Sequence, residues 1–476
     1  LGTTFSDIGP PESRQGTRAM LETYEWIVIA LMASFIILLF TGYPIAWVLA
    51  GVSFWYVVFA IYSAEYLDLD TYLLSSWARF SVIVDRLWSQ MQNSVLVALP
   101  MFVFMGLMLD RSGVADKLMQ AFTRLFGSMQ GGLAIAVCCI GILLAASTGI
   151  VGASVVLLAT LSMPMMLAYS YSKRLASGVI AASGTLGILI PPSIMLVIMA
   201  DQLAMSVGDL FMGAMVPGLM LGMLYILYVV VITHVVPGMG PPPADAPTLS
   251  ARVILDALAS MAPPGLLILA VLGSIFFGIA TATEASGVGA FGAMLLAAWN
   301  RRLDRRCIRE VCYETAATTA FIMAIFLGAS AFALVMRNLG GDEFIAHVLK
   351  SLPFGPEGII VFILGVAFLA GFFLDWLEIS LIFLPLVAPV VRSLGFDPVW
   401  FVVVFAVMLQ TSFLTPPVGF SLFYLKGVVP KEVTTRDIYI GIVPFVVIQL
   451  LTVFLVFAFP ELALWLPREV YATASR

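Results

Sequence analysis

The residues best equipped for chemistry in this chain surround two double prolines. One lies in Ser183-Gly184-Thr185-Leu186-Gly187-Ile188-Leu189-Ile190-Pro191-Pro192-Ser193, the other in Gln410-Thr411-Ser412-Phe413-Leu414-Thr415-Pro416-Pro417-Val418-Gly419. Both interrupt apolar runs. A proline pair removes two amide donors and clashes with the preceding turn, so carbonyls upstream lose their helical partners. In hydrocarbon each such group is costly unless something binds it. A hard cation such as sodium prefers oxygen ligands, and Thr185, Ser193, Thr411, Ser412 and Thr415 place hydroxyls beside the freed carbonyls. A kink that merely helps helices pack is the competing reading of either site alone. Two kinks at matched positions favour the cation.

The elements that must position these residues are membrane helices. The 476 residues are 61% hydrophobic and 11% charged, with a mean hydropathy of +1.06. A soluble domain carries about 25% charged residues, so a soluble enzyme is excluded. A net charge of −5 leaves no basic stripe for nucleic acid. Fourteen apolar runs fall between residues 24 and 460, and several are shorter than the ~20 residues a spanning helix needs. Runs 130–146 and 155–168 are joined by the uncharged Ser147-Thr148-Gly149-Ile150-Val151-Gly152-Ala153-Ser154, which reads as the tip of a re-entrant hairpin. Residues 357–391 read the same way, with a tip near Gly371–Ser380.

Each hairpin is followed by a broken span, 176–200 and then 397–425. Ser154 precedes Pro191 by 37 residues, and Ser380 precedes Pro416 by 36. An odd number of crossings separates the copies, which predicts an all-α polytopic membrane protein built from inverted repeats. The expected organisation is a flexible polar extension over 1–19, with Met20 a plausible start, and a first repeat over 20–236. A Pro-rich cytoplasmic linker and connecting segment over 237–263, a second repeat over 264–460 and a tail over 461–476 follow. With the N-terminus outside, fourteen of the 23 Lys and Arg fall on one side, led by Arg301-Arg302-Leu303-Asp304-Arg305-Arg306. Arg-rich short loops stay in the cytoplasm, so both termini are expected outside.

Opposed helix ends meet at a hairpin tip. Carbonyl ends suit a cation and amide ends an anionic solute group, and glycines allow close approach; a small-residue packing seam is the alternative. Asp375 and Glu378, three apart, are expected on one helical face, Asp375 at or near the cation and Glu378 sharing a proton or facing an outward vestibule. Glu284 reads equally as a Thr-capped helix-start acid or as a coupling acid. His234 and His347 have no second ligand nearby. Cys138 and Cys139 lie in an apolar run, and Cys307 and Cys312 flank an Arg-rich loop; all four read as reduced. Gly287-Val288-Gly289-Ala290-Phe291-Gly292 spells a dinucleotide fingerprint but follows no strand, so it reads as a helix-packing seam.

Four stretches together resemble the large membrane subunit (DctM type) of tripartite ATP-independent periplasmic (TRAP) transporters: Leu99-Pro100-Met101-Phe102-Val103-Phe104-Met105-Gly106, Gly184–Ser193, Thr283-Glu284-Ala285 and Leu414–Gly419. The resemblance covers roughly residues 20–460. It implies a bacterial inner-membrane permease rather than an enzyme, importing a small organic acid with sodium and without a further cofactor. It also implies a small four-helix membrane subunit (DctQ type) and a periplasmic substrate-binding protein (DctP type) as partners. The wider superfamily works as elevators, and its ion sites lie where each hairpin tip meets the following broken helix. Carried over, the cation candidates are Ser147, Thr148, Gly149, Gly152, Ser154, Thr185, Gly187, Pro191 and Ser193 in the first half. In the second they are Gly371, Asp375, Ser380, Thr411, Ser412, Thr415, Pro416 and Gly419. Ser154, Thr185, Ser193, Ser380 and Thr415 are also substrate candidates. A channel or an ion-translocating subunit of a larger complex is the runner-up; the absence of intramembrane Lys argues against its proton relay.

Overall fold

Apolar runs become helices here because in hydrocarbon a helix pairs each segment's own amides and carbonyls, and polar side chains at several starts satisfy the first free amides. The computed structural model describes residues 22–148, 151–243 and 250–474; the expected extension over 1–19, Met20 and parts of the linker and tail lie outside them. The chain opens with α1 (Thr23–Leu39), α2 (Ile45–Tyr66), α3 (Trp77–Met91), α4 (Ser94–Arg111) and α5 (Val114–Phe126). Next come α6 (Gly132–Thr148), α7 (Val151–Ala168), α8 (Lys173–Thr185), α9 (Ile194–Gln202) and α10 (Val207–Val235). The second half holds α11 (Ala251–Phe276), α12 (Ala282–Trp299), α13 (Arg305–Asn338), α14 (Gly341–Ser351) and α15 (Pro356–Ala370). It ends with α16 (Trp376–Glu378), α17 (Leu384–Ser393), α18 (Pro398–Leu414), α19 (Phe420–Val428), α20 (Thr435–Ala458) and α21 (Glu461–Ala474). No strand occurs among the described residues, and eight helical segments are long and apolar enough to cross a membrane.

Caps mark several starts. The Asn93 side chain accepts from the Val95 amide at 3.0 Å and Asp304 from the Cys307 amide at 2.6 Å, each worth about 1 kcal/mol. Asp304 therefore starts α13, and Cys307 and Cys312 stand in its first turns rather than flanking a loop. The stretch between α2 and α4 contains α3, which buries none of its residues and rides on the surface with Arg79, Asp85 and Arg86 among its apolar side chains. α11 also lies at the perimeter, with 17% of its most apolar window buried.

One order of elements occurs twice. A spanning helix (α4), a surface helix (α5), a hairpin (α6 and α7), a broken helix (α8 then α9) and a long helix (α10) recur as α13, α14, α15 with α16–α17, α18 then α19, and α20. The surface helices α5 and α14 each begin at a glycine in the left-handed region, Gly113 at φ +72° and Gly340 at φ +81°. At about 51 Å, the 34 residues of α13 carry the chain from the Arg301–Arg306 face to the opposite one. The second hairpin is therefore entered from the other face, and the copy is inverted.

The broken helices form the centre. α8 is buried at every residue from Leu175 to Thr185, and α18 from Trp400 to Leu414 except Met408. A helix apolar on all sides belongs inside. α8 lies backbone to backbone on α20: a Cβ on Gly178 would fall 2.2 Å from the Gly441 carbonyl oxygen, and one on Gly441 2.1 Å from that of Arg174. In hydrocarbon, close packing of small residues rather than water exclusion holds helices together.

Candidate functional site

At the first break, α8 ends at Thr185 and passes through a short 3₁₀ turn, Leu186–Ile188, that contains Gly187. The chain then runs irregularly through the cis Pro191–Pro192 bond to Ser193, which precedes α9. Thr185 Oγ1 donates to the Ala182 carbonyl at 2.8 Å, and Ser193 Oγ to that of Ile188 at 2.6 Å. Both legs of the first hairpin touch α8 just before this break. A Cβ on Gly141 of α6 would lie 2.6 Å from Ser183 Cβ, and one on Gly184 would lie 2.4 Å from Val155 Cγ2 of α7. Ser147 and Thr148 end the first leg, Gly152 and the buried Ser154 begin the second, and Gly149 lies outside the described residues.

The second break repeats this plan. α18 ends at Leu414, the Pro416–Pro417 bond is cis, and Gly419, at φ +50°, precedes α19. Hydroxyls again donate into the backbone: Thr411 to Val407 at 2.8 Å, Ser412 to Leu409 at 2.6 Å, and Thr415 to Thr411 at 2.7 Å. Ser421 Oγ reaches back eight residues to the Phe413 carbonyl at 3.0 Å. The second hairpin turns at Gly371–Leu374, and its tip meets the break directly. A Cβ on Gly371 would lie 2.0 Å from Ser412 Oγ and 2.7 Å from Ser412 Cβ.

These bonds revise the sequence argument. The expectation left the freed carbonyls to a bound cation; at Ile188 and Phe413 the chain's own hydroxyls take them. The unmet need is smaller than a proline pair alone implies, because a serine five or eight residues further on reaches back to the freed carbonyl. The hydroxyls that spend their hydrogens this way still carry lone pairs, which are what a cation needs.

The acids also sit differently from expectation. Asp375 is not a helical neighbour of Glu378; it is the N-cap of α16, its Oδ1 accepting from the Trp376 amide at 2.8 Å. The first hairpin leg has already ended at Ala370, so the spacing of three spans a cap and a first turn instead of one face. Glu378 is 5% exposed with Oε2 lacking a hydrogen-bond partner among the described residues, which removes it from any open vestibule. Ser380 is fully buried and donates to the Trp376 carbonyl at 2.6 Å, where the chain makes a π turn, Ile379–Phe383. Glu284 takes the first of its two readings. Its Oε2 accepts from the Thr281 amide at 2.8 Å while the Thr281 hydroxyl accepts from the Glu284 amide, a capping box on an exposed helix start. The glycine fingerprint is a seam in part: Gly289 packs on Met105 and Gly292 on Leu267, while Gly287 meets open space.

Three residues escaped the sequence reading. Tyr424 of α19 lies over Gly152, whose Cβ would come within 2.9 Å of its ring, so the first tip touches the second broken helix. Ser421 closes the second break. Gln410, fully buried, donates from Nε2 to Thr185 Oγ1 at 3.2 Å and joins the two broken helices, while its Oε1 has no partner among the described residues. The signal for Gln410 was present: it stands six residues before Pro416, as Thr185 stands six before Pro191. Equivalent positions of two inverted copies meet on the axis that relates them.

Comparison with known proteins places this arrangement. Residues 32–462 match the family described as tripartite ATP-independent periplasmic transporter, DctM component. The C4-dicarboxylate TRAP transporter large permease protein DctM of Pseudomonas aeruginosa is 31% identical over 404 residues, covering 83% of this chain and 92% of that protein. Its namesake from Vibrio cholerae is 28% identical, covering 78% and 85%. The isethionate TRAP transporter permease protein DctMQ of Oleidesulfovibrio alaskensis is 28% identical over 71% of this chain and 53% of its own. Among solved structures, the Alcanivorax borkumensis YdaH transporter superposes with a TM-score of 0.59 at 14% identity, covering 82% of this chain and 89% of that one, a likeness of fold.

Proposed function

Because the chain belongs to the DctM component of the tripartite ATP-independent periplasmic transporters, a family of membrane permeases and not of enzymes, we propose that it imports a C4-dicarboxylate or a related small organic acid, driven by sodium. The relatives' substrates and partners carry the reading further. The solute arrives on a periplasmic binding protein, and a small four-helix subunit accompanies the chain, as the fused DctMQ name of one relative suggests. The Arg301–Arg306 face lies in the cytoplasm of the inner membrane, with both termini on the periplasmic side. The hairpins and broken helices move as one block against the remaining helices. The observation that carries the ion coupling is the matched pair of breaks, each lined by buried hydroxyls and each closed by a hairpin in glycine-to-side-chain contact. Each sodium charge moving inward contributes about 2.3 kcal/mol per 100 mV. No other source of work is required.

The test is succinate uptake into proteoliposomes holding the chain, its small subunit and its binding protein, with and without an inward sodium gradient. Accumulation that ignores sodium defeats the coupling. In the same assay Asp375→Asn is expected to raise the half-saturating sodium concentration by about tenfold while the purified protein keeps its elution profile. An unchanged sodium titration would leave Asp375 a helix cap only.

Gln410→Leu keeps the volume and removes the bridge to Thr185. About a fivefold loss of apparent sodium affinity is expected, the size of a lost buried hydrogen bond of ~1 kcal/mol. Equal affinity in wild type and variant would show that the two breaks bind independently of this link.

A further inference from the structure

On the face opposite Arg301–Arg306, a cleft of about 310 Å³ opens between α3 and α13 on one wall and α9 and α17 on the other. Its polar lining is Arg86, Ser89 and Gln90 of α3, Asp201 and Gln202 of α9, and Ser330 and Arg337 of α13. Two cations, Arg86 and Arg337, line it against one acid, Asp201. Asp201 is already served by Asn93 Nδ2 at 2.5 Å and by Gln202 Nε2 at 3.2 Å. Arg337 is paired with Asp342, Nε to Oδ2 3.3 Å. Arg86 makes no ion pair among the described residues; burial followed by the nearby Arg337 cation lowers its pKa from the ordinary value, and the Asp342 carboxylate, already paired with Arg337, offsets them in part. A buried Gln90 Oε1 beside it also lacks a hydrogen-bond partner.

A guanidinium forced near a second one in a partly dry cleft is relieved by an anion, and its planar fork fits a carboxylate through two parallel hydrogen bonds. The volume suits a small solute. The position suits one in transit: α9 runs from the cleft to the first break, its nine residues spanning about 13 Å. We propose that this cleft is an entry site for the solute, in which Arg86 holds a carboxylate before it passes inward to the two breaks. A hydroxyl of the solute, or a water carried with it, supplies the donor that Gln90 Oε1 lacks. This rests on the import reading above and adds to it a place and a residue remote from both double prolines.

The test uses Ser89→Cys, an exposed position lining the cleft, in a chain with Cys307→Ser and Cys312→Ser, assembled with its small subunit. Labelling rates are compared for a negatively charged sulfonatoethyl and a positively charged trimethylammonium-ethyl methanethiosulfonate, with succinate as the probe. The anionic reagent is expected to react about tenfold faster than the cationic one, and succinate to slow labelling; Arg86→Gln removes both effects and Arg86→Lys restores the charge preference but only part of the protection. Equal rates for the two reagents, or protection by succinate that survives Arg86→Gln, would overturn the assignment. Should Arg86→Gln not assemble, Arg86→Lys and the succinate protection of the parent decide the matter. Protection without sodium-driven uptake by the intact complex would sink the import reading and leave the anion cleft standing. Sodium-driven uptake whose half-saturation is the same in Arg86→Gln would sink the cleft alone.

Discussion

Gly371→Ala is expected to cut solute uptake to less than about a tenth while the protein still inserts and purifies. The added Cβ would stand 2.0 Å from Ser412 Oγ and 2.7 Å from Ser412 Cβ, and the Ala367 carbonyl oxygen lies at 3.4 Å behind it. Ser412 cannot rotate away at no cost, because its hydroxyl is bonded to the Leu409 carbonyl at 2.6 Å within a helix buried on every side. The hairpin tip must therefore lift off the break, and overpacking of this kind costs about 1–3 kcal/mol. That displacement falls at the mouth of the proposed cation site, so transport suffers more than folding. The double variant Gly371→Ala with Ser412→Gly removes both clashing atoms. It is expected to recover a large part of the lost uptake, less the roughly 1 kcal/mol that a helical glycine costs. Uptake by Gly371→Ala at the wild-type rate would show that the tip and the break need not touch.

Gly441→Ala tests the frame instead of the site. Its Cβ would fall 2.1 Å from the Arg174 carbonyl oxygen and 3.0 Å from Ser177 Oγ. The first obstacle is backbone, inside a helix whose residues from Leu175 onward are buried, so no rotamer change relieves it. Separating α8 from α20 is the remaining response, and it forfeits the contact that holds the first broken helix in place. A loss of about 3 kcal/mol is expected, seen as a lower midpoint in thermal unfolding of the detergent-solubilised protein and a lower yield. Because Gly178 faces the same contact, Gly178→Ala should produce a similar loss, its Cβ meeting the Gly441 oxygen at 2.2 Å. A melting midpoint within a degree or two of wild type would mean that the two helices slide past one another freely.

Much of the framework was readable in one dimension. The uncharged tip around Gly152 and Ser154 could not be a solvated loop, and the half-length runs on either side could not cross alone. Those two statements already require a hairpin. The surface helix α5 falls between the apolar runs, yet Val114, Ala115, Leu118, Met119 and Phe122 recur at helical spacing around Asp116, Lys117 and Arg124. Asp375 stands off the expected helical face, at the N-cap of α16. A spacing of three has one meaning inside a helix and another across its first residue, and nothing local marks where the preceding leg stops.

The chain's order of residue types was sufficient for the membrane helices, the two hairpins, the two breaks and their inverted relation, because bilayer thickness and unpaired backbone groups act on each segment separately. Which atoms fill the breaks was decided only by the fold. Tyr424 covering Gly152, Gln410 bonding to Thr185 across 225 positions, and Arg86 set beside Arg337 without an ion pair of its own all depend on segments far apart in the chain. Hydrogen bonds and charges act over a few ångströms in space, and separation along the sequence carries almost no information about that distance.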